Sequence, residues 1–348
     1  MALIFHEGYD WSQAAAQAWL RQNYTGTGAI NRGQGDSQIV PGRYGGQALA
    51  LKNVSANPAC IDYDIGGTGS EHFVAFSVYF TDTPTSVTNI VNAFENSTLH
   101  WTLNINTSRV PIISRNFSNL QVATNAFAVG QWYRVEMRVL LADAGSWEMR
   151  VDGTSTGWLS GTGDTRNGAT GVPNHLLFQA FVQSSNLGFV LIDDLVVYTP
   201  AGSAPNAFLG NMRVETLAPD GVSSTQFTPT NPTNANLTNV NGLLVPSRWN
   251  ESATAGHVDD FTVANLSGSP AGITSVGLVM AHSRADSTTR TIRNRLRSGS
   301  TTSNGETVTP PVAIPTVRAD YWTTDPDTSA AWDVAGVNGI RAQYEVVS

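Results

Sequence analysis

Cysteine is nearly absent: Cys60 is the only one in 348 residues, so no intrachain disulfide forms and no thiolate metal centre can be assembled. Cys60 itself reads as a small buried apolar residue. Lysine is as scarce, Lys52 being the only one, and every other basic side chain is an arginine. Charge of either sign is thin, at 13% of residues, and the net charge of −8 argues against a general nucleic-acid binder, which needs surplus cations to neutralise phosphates. No apolar run approaches the ~18 residues a membrane-crossing helix requires. The opening "MALIFHEGYDWSQ" has neither a basic n-region nor a long apolar stretch, so no secretory signal is read there and synthesis in a cytoplasm is expected. Six histidines show no metal-type spacing, and no Gly-x-Ser-x-Gly nucleophile motif occurs.

What is present is the pattern of an all-β protein. Aromatic and β-branched residues recur in short runs separated by Gly, Ser, Thr and Asn. One short amphipathic helix is expected after Ser12, in "QAAAQAWLRQN". Strands are expected at 47–52, 72–80, 99–105, 130–141, 146–153, 176–182 and 188–199. In "WYRVEMRV" the residues Tyr133, Val135, Met137 and Val139 share one face while Arg134, Glu136 and Arg138 share the other. "SWEMRV" repeats this with Trp147, Met149 and Val151 against Glu148 and Arg150. The two form a hairpin with one core face and one charged, solvent-facing side. Glu136 and Glu148 then read as partners in cross-strand ion pairs.

Residues 201–207, small and proline-containing, read as a linker between residues 1–200 and 208–348. In the second part, "SVGLVMAHSRAD" reads as a buried strand ending in a polar turn, "DPDTSAAW" as a capped helical turn, and "NGIRAQYEVV" as an alternating final strand. In "TRTIRNRLRSG" the side chains of Arg293, Arg295 and Arg297 fall on one face of a strand. They form a candidate interaction face for an acidic sugar or an acidic subunit surface.

Two resemblances follow from quoted segments. "GQWYRVEMRVLLADAGSWEMRVDG", "GTGDTRNG" and "IDDLVVYT" resemble the LamG-like, concanavalin-A-type jelly rolls of bacteriophage virion proteins, over residues 1–200. The order "GNMRVETLAPDG", "TAGHVDDFTV", "ITSVGLVMAHSRAD" and "TTDPDTSAAWDVAGVNGIRAQYEVV" resembles a β-rich module at the C-terminus of phage tail-fibre and minor tail proteins, over residues 208–348. The resemblance implies an N-terminal jelly-roll β-sandwich, a second sandwich-like domain, and a structural role in a virion appendage with host-surface recognition. Its alternatives are a head-attached fibre or decoration protein and a polysaccharide-degrading appendage enzyme. The partners implied are other virion proteins, host-surface glycan and further copies of the chain, a trimer among the options; neither nucleic acid nor membrane insertion is implied.

Enzymes of the jelly-roll class carry a Glu-x-Asp-x-x-Glu strand, which is missing here, so catalysis is not expected. The aromatic residues Trp11, Tyr44, Trp101 and Trp158 are the candidate sugar-stacking positions. No cofactor is required by any motif; Ca2+ on Asp193 or Asp194 is the one metal reading left open.

Overall fold

A computed structural model describes residues 3–8, 36–52, 59–67, 69–168, 172–180, 190–201, 205–230, 236–240, 249–312 and 316–348. It is almost wholly β, with two helices of five residues each among the described residues. The chain divides into two compact units, the first running to Val214 and the second taking Glu215–Ser348. The expected helix after Ser12 lies outside the described residues.

The first unit is a two-sheet sandwich. Its strands are β1 Leu3–Glu7, β2 Asp36–Pro41, β3 Gln47–Lys52, β4 Ala59–Asp64, β5 Glu71–Phe80, β6 Thr88–Glu95 and β7 Thr98–Ile105. They continue with β8 Pro111–Arg115, β9 Ser118–Val122, β10 Trp132–Leu140, β11 Gly145–Val151, β12 Ser160–Gly163, β13 His175–Ala180 and β14 Val190–Tyr198. One sheet has eight strands in the order β12-β11-β10-β5-β14-β3-β2, with β1 also paired to β14; the other has six in the order β4-β13-β6-β7-β8-β9. The unit's strands pair antiparallel, and alternate residues of each strand enter the space between the sheets. Val74, Phe76, Val78, Val135, Met137 and Met149 from one sheet meet Trp101, Leu103, Ile113 and Phe178 from the other.

The β10–β11 hairpin has the register the alternation predicts, with Met137 opposite Met149 and Glu136 opposite Arg150. A two-residue Asp152-Gly153 turn follows β11 with φ of 50° and 83°, the left-handed pair that a tight hairpin turn demands and that Asp-Gly accepts at little cost.

The second unit holds β15 Pro219–Ser224, β16 Thr228–Pro229, helix α1 Asn236–Val240, β17 Asn250–Glu251, β18 Val258–Val263, β19 Val276–His282, β20 Ile292–Ser298, β21 Thr301–Asn304, β22 Thr316–Trp322, helix α2 Val334–Asn338 and β23 Arg341–Val346. A five-stranded sheet runs β15-β18-β23-β20-β21. Its inner face supplies Val263, Leu296 and Ala342 to a core closed by Trp332, Val337 and Ile340, against which Val276, Leu278 and Trp322 of the β19–β22 ribbon pack. Buried Asp259 organises one end, accepting from the backbone N–H groups of Gln226 and Phe227, from Asn236 Nδ2 and from the Tyr344 hydroxyl.

Three expectations need correction here. β19 is half-buried, with Val279 at 40% exposure, because only alternate residues reach the core. The helix near the chain end starts at Val334, where the Asp333 side chain accepts the Gly336 N–H at 2.6 Å and caps the first turn; "DPDTSAAW" itself forms turns. Cys60 is half-buried.

Candidate functional site

The hairpin's charged face is closed to solvent, contrary to the sequence expectation. Arg134 is 0% and Glu136 1% exposed, because residues 207–214 lie over this face of the eight-stranded sheet. Glu136 accepts the Leu209 N–H at 2.6 Å and the Gly210 N–H at 3.0 Å; Asp194 accepts the Val214 N–H at 2.8 Å and the Ser77 hydroxyl at 2.9 Å. Tyr198 donates to the Ala207 carbonyl at 2.8 Å, and Phe208 packs edge-on against Phe73 beneath the Arg150 guanidinium. Arg134 Nη1 donates to the Asp194 carbonyl at 2.6 Å. Burial pushes the Glu136 and Asp194 carboxyls up and the Arg134 guanidinium down, each opposed by the opposite charges beside it. Here the carboxylates hold a length of backbone, leaving no open pair for general acid–base work. Cross-strand ion pairing is also redirected: Arg138 pairs with Glu71 on β5, and Arg150 with Glu148 on its own strand.

Adjacent aspartates on a regular strand would point to opposite faces. A β-bulge between Asp193 and Val196, with Asp194 at φ 50°, breaks that alternation. Asp193 accepts the Arg43 N–H at 2.8 Å, and Arg43 in turn donates to Ser77 at 3.1 Å, so both carboxylates serve one network. Among the described residues no three His, Cys, Asp or Glu side chains gather as a metal would need.

A different arrangement covers the face of the six-stranded sheet turned away from the core. Strand register aligns Asp62, Leu177, Asn92, Thr102, Ser114 and Asn119 in one row across β4, β13, β6, β7, β8 and β9. At about 4.8 Å per strand the row spans roughly 24 Å. Asn104, two residues along β7 from Thr102, donates to Thr102 at 2.9 Å and to Ser114 at 3.2 Å, and Ser114 donates to Asn119 at 3.0 Å. The middle of the row is buried, while Asn119 at the β9 end is exposed. Asn92 Nδ2, Asn104 Oδ1 and Asp62 Oδ1 are buried without a partner among the described residues. Buried amide and carboxylate atoms left bare are costly, so the middle of the row suits ordered water, and only its β9 end is open to a guest.

Charge at the row is tied up. Asp62 Oδ2 lies 3.2 Å from His175 Nδ1, and burial pushes the Asp62 carboxyl up while His175 opposes the shift. His100 Nδ1 accepts the Asn167 N–H, which leaves Nε2 to donate to Glu95 at 3.1 Å. One residue pair along the hairpin from Ser114 and Asn119, the β8–β9 turn places Asn116 at φ 41° and Phe117 at φ 67°, and Phe117 is 68% exposed. A bulky aromatic held in the left-handed region and pointed into water is costly on both counts.

The four aromatic positions singled out from sequence do not assemble into a site. Trp101 is 1% exposed in the sandwich core, its alternation placing it inward with Leu103 and Ile105; it is unavailable to a sugar. Trp158 is half-buried and stacked on Phe127 at 5.1 Å. Tyr44 is exposed, donates to Asn211 at 3.0 Å, and is flanked by the Arg43 and Arg213 guanidiniums. Trp11 lies outside the described residues. Phe117 carries no sugar-site signal of its own in the sequence, but "RNFSN" between two strand patterns marks the turn that exposes it.

On the second unit, Arg293, Arg295 and Arg297 share the outer face of β20, as the alternation implies, and all three are half-buried. Glu345 takes Arg293 at 2.7 Å and Arg295 at 3.3 Å.

No known protein family and no curated protein matches this chain. Among solved structures, an endo-β-1,4-glucuronan lyase from the fungus Trichoderma reesei matches at 14% identity and a TM-score of 0.38, over 49% of this chain and 93% of its own. A Trypanosoma rangeli sialidase matches at 15% identity and a TM-score of 0.34, over 49% of this chain and 29% of its own. A structure concerning cell entry of botulinum neurotoxin type C, dependent on interaction with two ganglioside molecules, matches at 12% identity and a TM-score of 0.34, over 47% and 41%. At this level the likeness describes β architecture alone.

Proposed function

We propose that this chain is a structural component of a bacteriophage virion appendage of the tail-fibre or tail-tip kind, and that its first unit contacts host-surface glycan without cleaving it. The observation that carries the binding half is the place where the neutral row of Asn92, Thr102, Ser114 and Asn119 reaches solvent: its middle is buried, but Asn119 at its β9 end is exposed, and so is Phe117 on the adjoining β8–β9 turn. Amides and hydroxyls exchange hydrogen bonds with sugar hydroxyls, and an aromatic ring offers a face to a pyranose. Non-catalysis is supported by the occupation of Asp62 and Glu95 by histidines and of Glu136 and Asp194 by backbone N–H groups. Retaining glycoside hydrolysis needs two free carboxyls about 5 Å apart across a cleft.

The virion half rests on the resemblance carried by "GQWYRVEMRVLLADAGSWEMRVDG" and the ordered segments of the second half. Immunogold labelling of intact particles with antibody to this chain tests it. Label at the tail appendage is the expected result; label on the head assigns a capsid fibre or decoration protein, and particles without label overturn the virion reading.

A further inference from the structure

The outer face of the five-stranded sheet in the second unit carries an imbalance of charge that its own side chains leave uncorrected. Strand register places Thr262, Arg341, Arg297 and Thr302 in one row across β18, β23, β20 and β21, with the two arginines directly opposite each other. Like charges facing across an antiparallel pair repel. The next row holds Asp260, Gln343, Arg295 and Asn304, and the row after it Glu345 and Arg293. Four guanidiniums therefore share this face with the carboxylates of Asp260 and Glu345 and, at its margin, Asp220, in a chain whose net charge is −8.

The shortfall falls on Arg297, which faces Arg341 across the strand pair. Glu345 is taken by Arg293 and Arg295. Asp260 accepts from Gln343 Nε2 at 2.9 Å and lies 3.5 Å from Arg341, which donates at 2.6 Å to Ser223. Arg297 meets no carboxylate among the described residues; its Nε donates to the Gly299 carbonyl at 3.2 Å. Asp220, at the sheet margin, accepts from Thr262. Acceptors stand next to the pair: Gln343 Oε1 and Asp260 Oδ1 are buried without a partner.

We propose that Arg297 and Arg341 bind the carboxylate of an acidic sugar unit within an anionic polysaccharide. Two guanidiniums side by side offer the forked donors that match a carboxylate. The Thr302 hydroxyl, opposite Arg297, then exchanges a hydrogen bond with a hydroxyl on the same sugar ring. A polynucleotide fits less well, because it would need many phosphate contacts and stacking rings beside them, and this row offers two cations and threonines. The site is separate from the neutral row of the first unit and stands or falls independently of it.

The test is calorimetric titration of the full chain with polygalacturonate oligomers, with neutral dextran oligomers, polyglutamate and single-stranded DNA as comparisons. Saturable binding of the uronate that weakens with salt is expected, with dextran silent and polyglutamate and DNA weaker. Arg297→Ser and Arg341→Ser each weaken uronate binding about tenfold or more, since a charge-assisted contact is lost. Arg290→Ser, on the loop where Arg290 pairs with Asp286, leaves it unchanged. Arg297→Lys keeps the charge and the fold while removing the fork, and weakens binding severalfold, which decides the matter if the serine variants do not fold. Absence of saturable uronate binding, indifference to the Arg297 and Arg341 substitutions, or equal affinity for dextran, polyglutamate or DNA overturns the assignment.

Discussion

Replacing Glu136 with glutamine should loosen residues 207–214 from the sheet while leaving the sandwich folded. The carboxylate receives two backbone N–H groups, from Leu209 at 2.6 Å and Gly210 at 3.0 Å, and an amide offers one oxygen and one NH2 in their place. One N–H then faces a donor. A hydrogen bond to a charged acceptor contributes about 1.5–3 kcal/mol, and the loss is partly offset because glutamine escapes the desolvation that pushes the Glu136 carboxyl up. The net cost to docking is about 1–2 kcal/mol, which raises the open fraction roughly 5- to 30-fold. Native-state hydrogen exchange read on a peptide spanning 205–214 measures this, because only opening of the segment exposes those N–H groups. Faster exchange there, with peptides from β5 and β10 unchanged, is the expected outcome. Unchanged exchange at Leu209 and Gly210 would refute the claim that Glu136 holds the segment.

Trp101→Ala empties the sandwich core and should cost about 3–5 kcal/mol in urea unfolding, whereas a sugar-contact residue would cost little. His72 is 2% exposed with both ring nitrogens unpartnered, and burial pushes it down to about 4. The unfolded chain therefore takes a proton near pH 6.5 that the folded chain refuses, so stability falls as pH drops from 6.5 towards 4, by about 2 kcal/mol at pH 5 from this residue. His72→Leu should flatten that part of the pH–stability curve, measured by urea unfolding at each pH. Phe117→Gly should stabilise the β8–β9 turn by about 1 kcal/mol through relief of the left-handed backbone, while weakening retention on host glycan; a thermal melt and a binding curve on the same variant check both signs.

Period-two alternation made the inner faces legible. Val135, Met137 and Val139 read as core in "WYRVEMRV" and are buried there, and the strand spans read from apolar runs agree with β3, β5, β7, β10 and β14 to within a few residues. The outer faces were not legible. Alternation marks Arg134 and Glu136 as turned away from the core, but a segment some seventy residues later covers them, and nothing local to the hairpin announces that. The Asp193-Asp194 pair escaped for a related reason, since a bulge changes which way a side chain points without altering the residue pattern. The row on the six-stranded sheet draws on strands whose spatial order differs from their sequence order, β13 lying between β4 and β6, so Asp62, Leu177 and Asn92 become neighbours only once that order is known. Trp101 shows the opposite error: a large aromatic suggests a sugar platform by its chemistry, yet its parity with Leu103 and Ile105 already placed it inward.

The most direct test of the central claim is incubation of the full chain, and of its Phe117→Ser variant, with purified host capsule and lipopolysaccharide fractions, followed for both retention and release. Saturable retention by the wild type, weaker retention by the variant, and no rise in free oligosaccharide over hours are the results this account predicts. Release of oligosaccharide by the wild type would contradict the non-catalytic reading, and absence of saturable retention would contradict glycan contact itself.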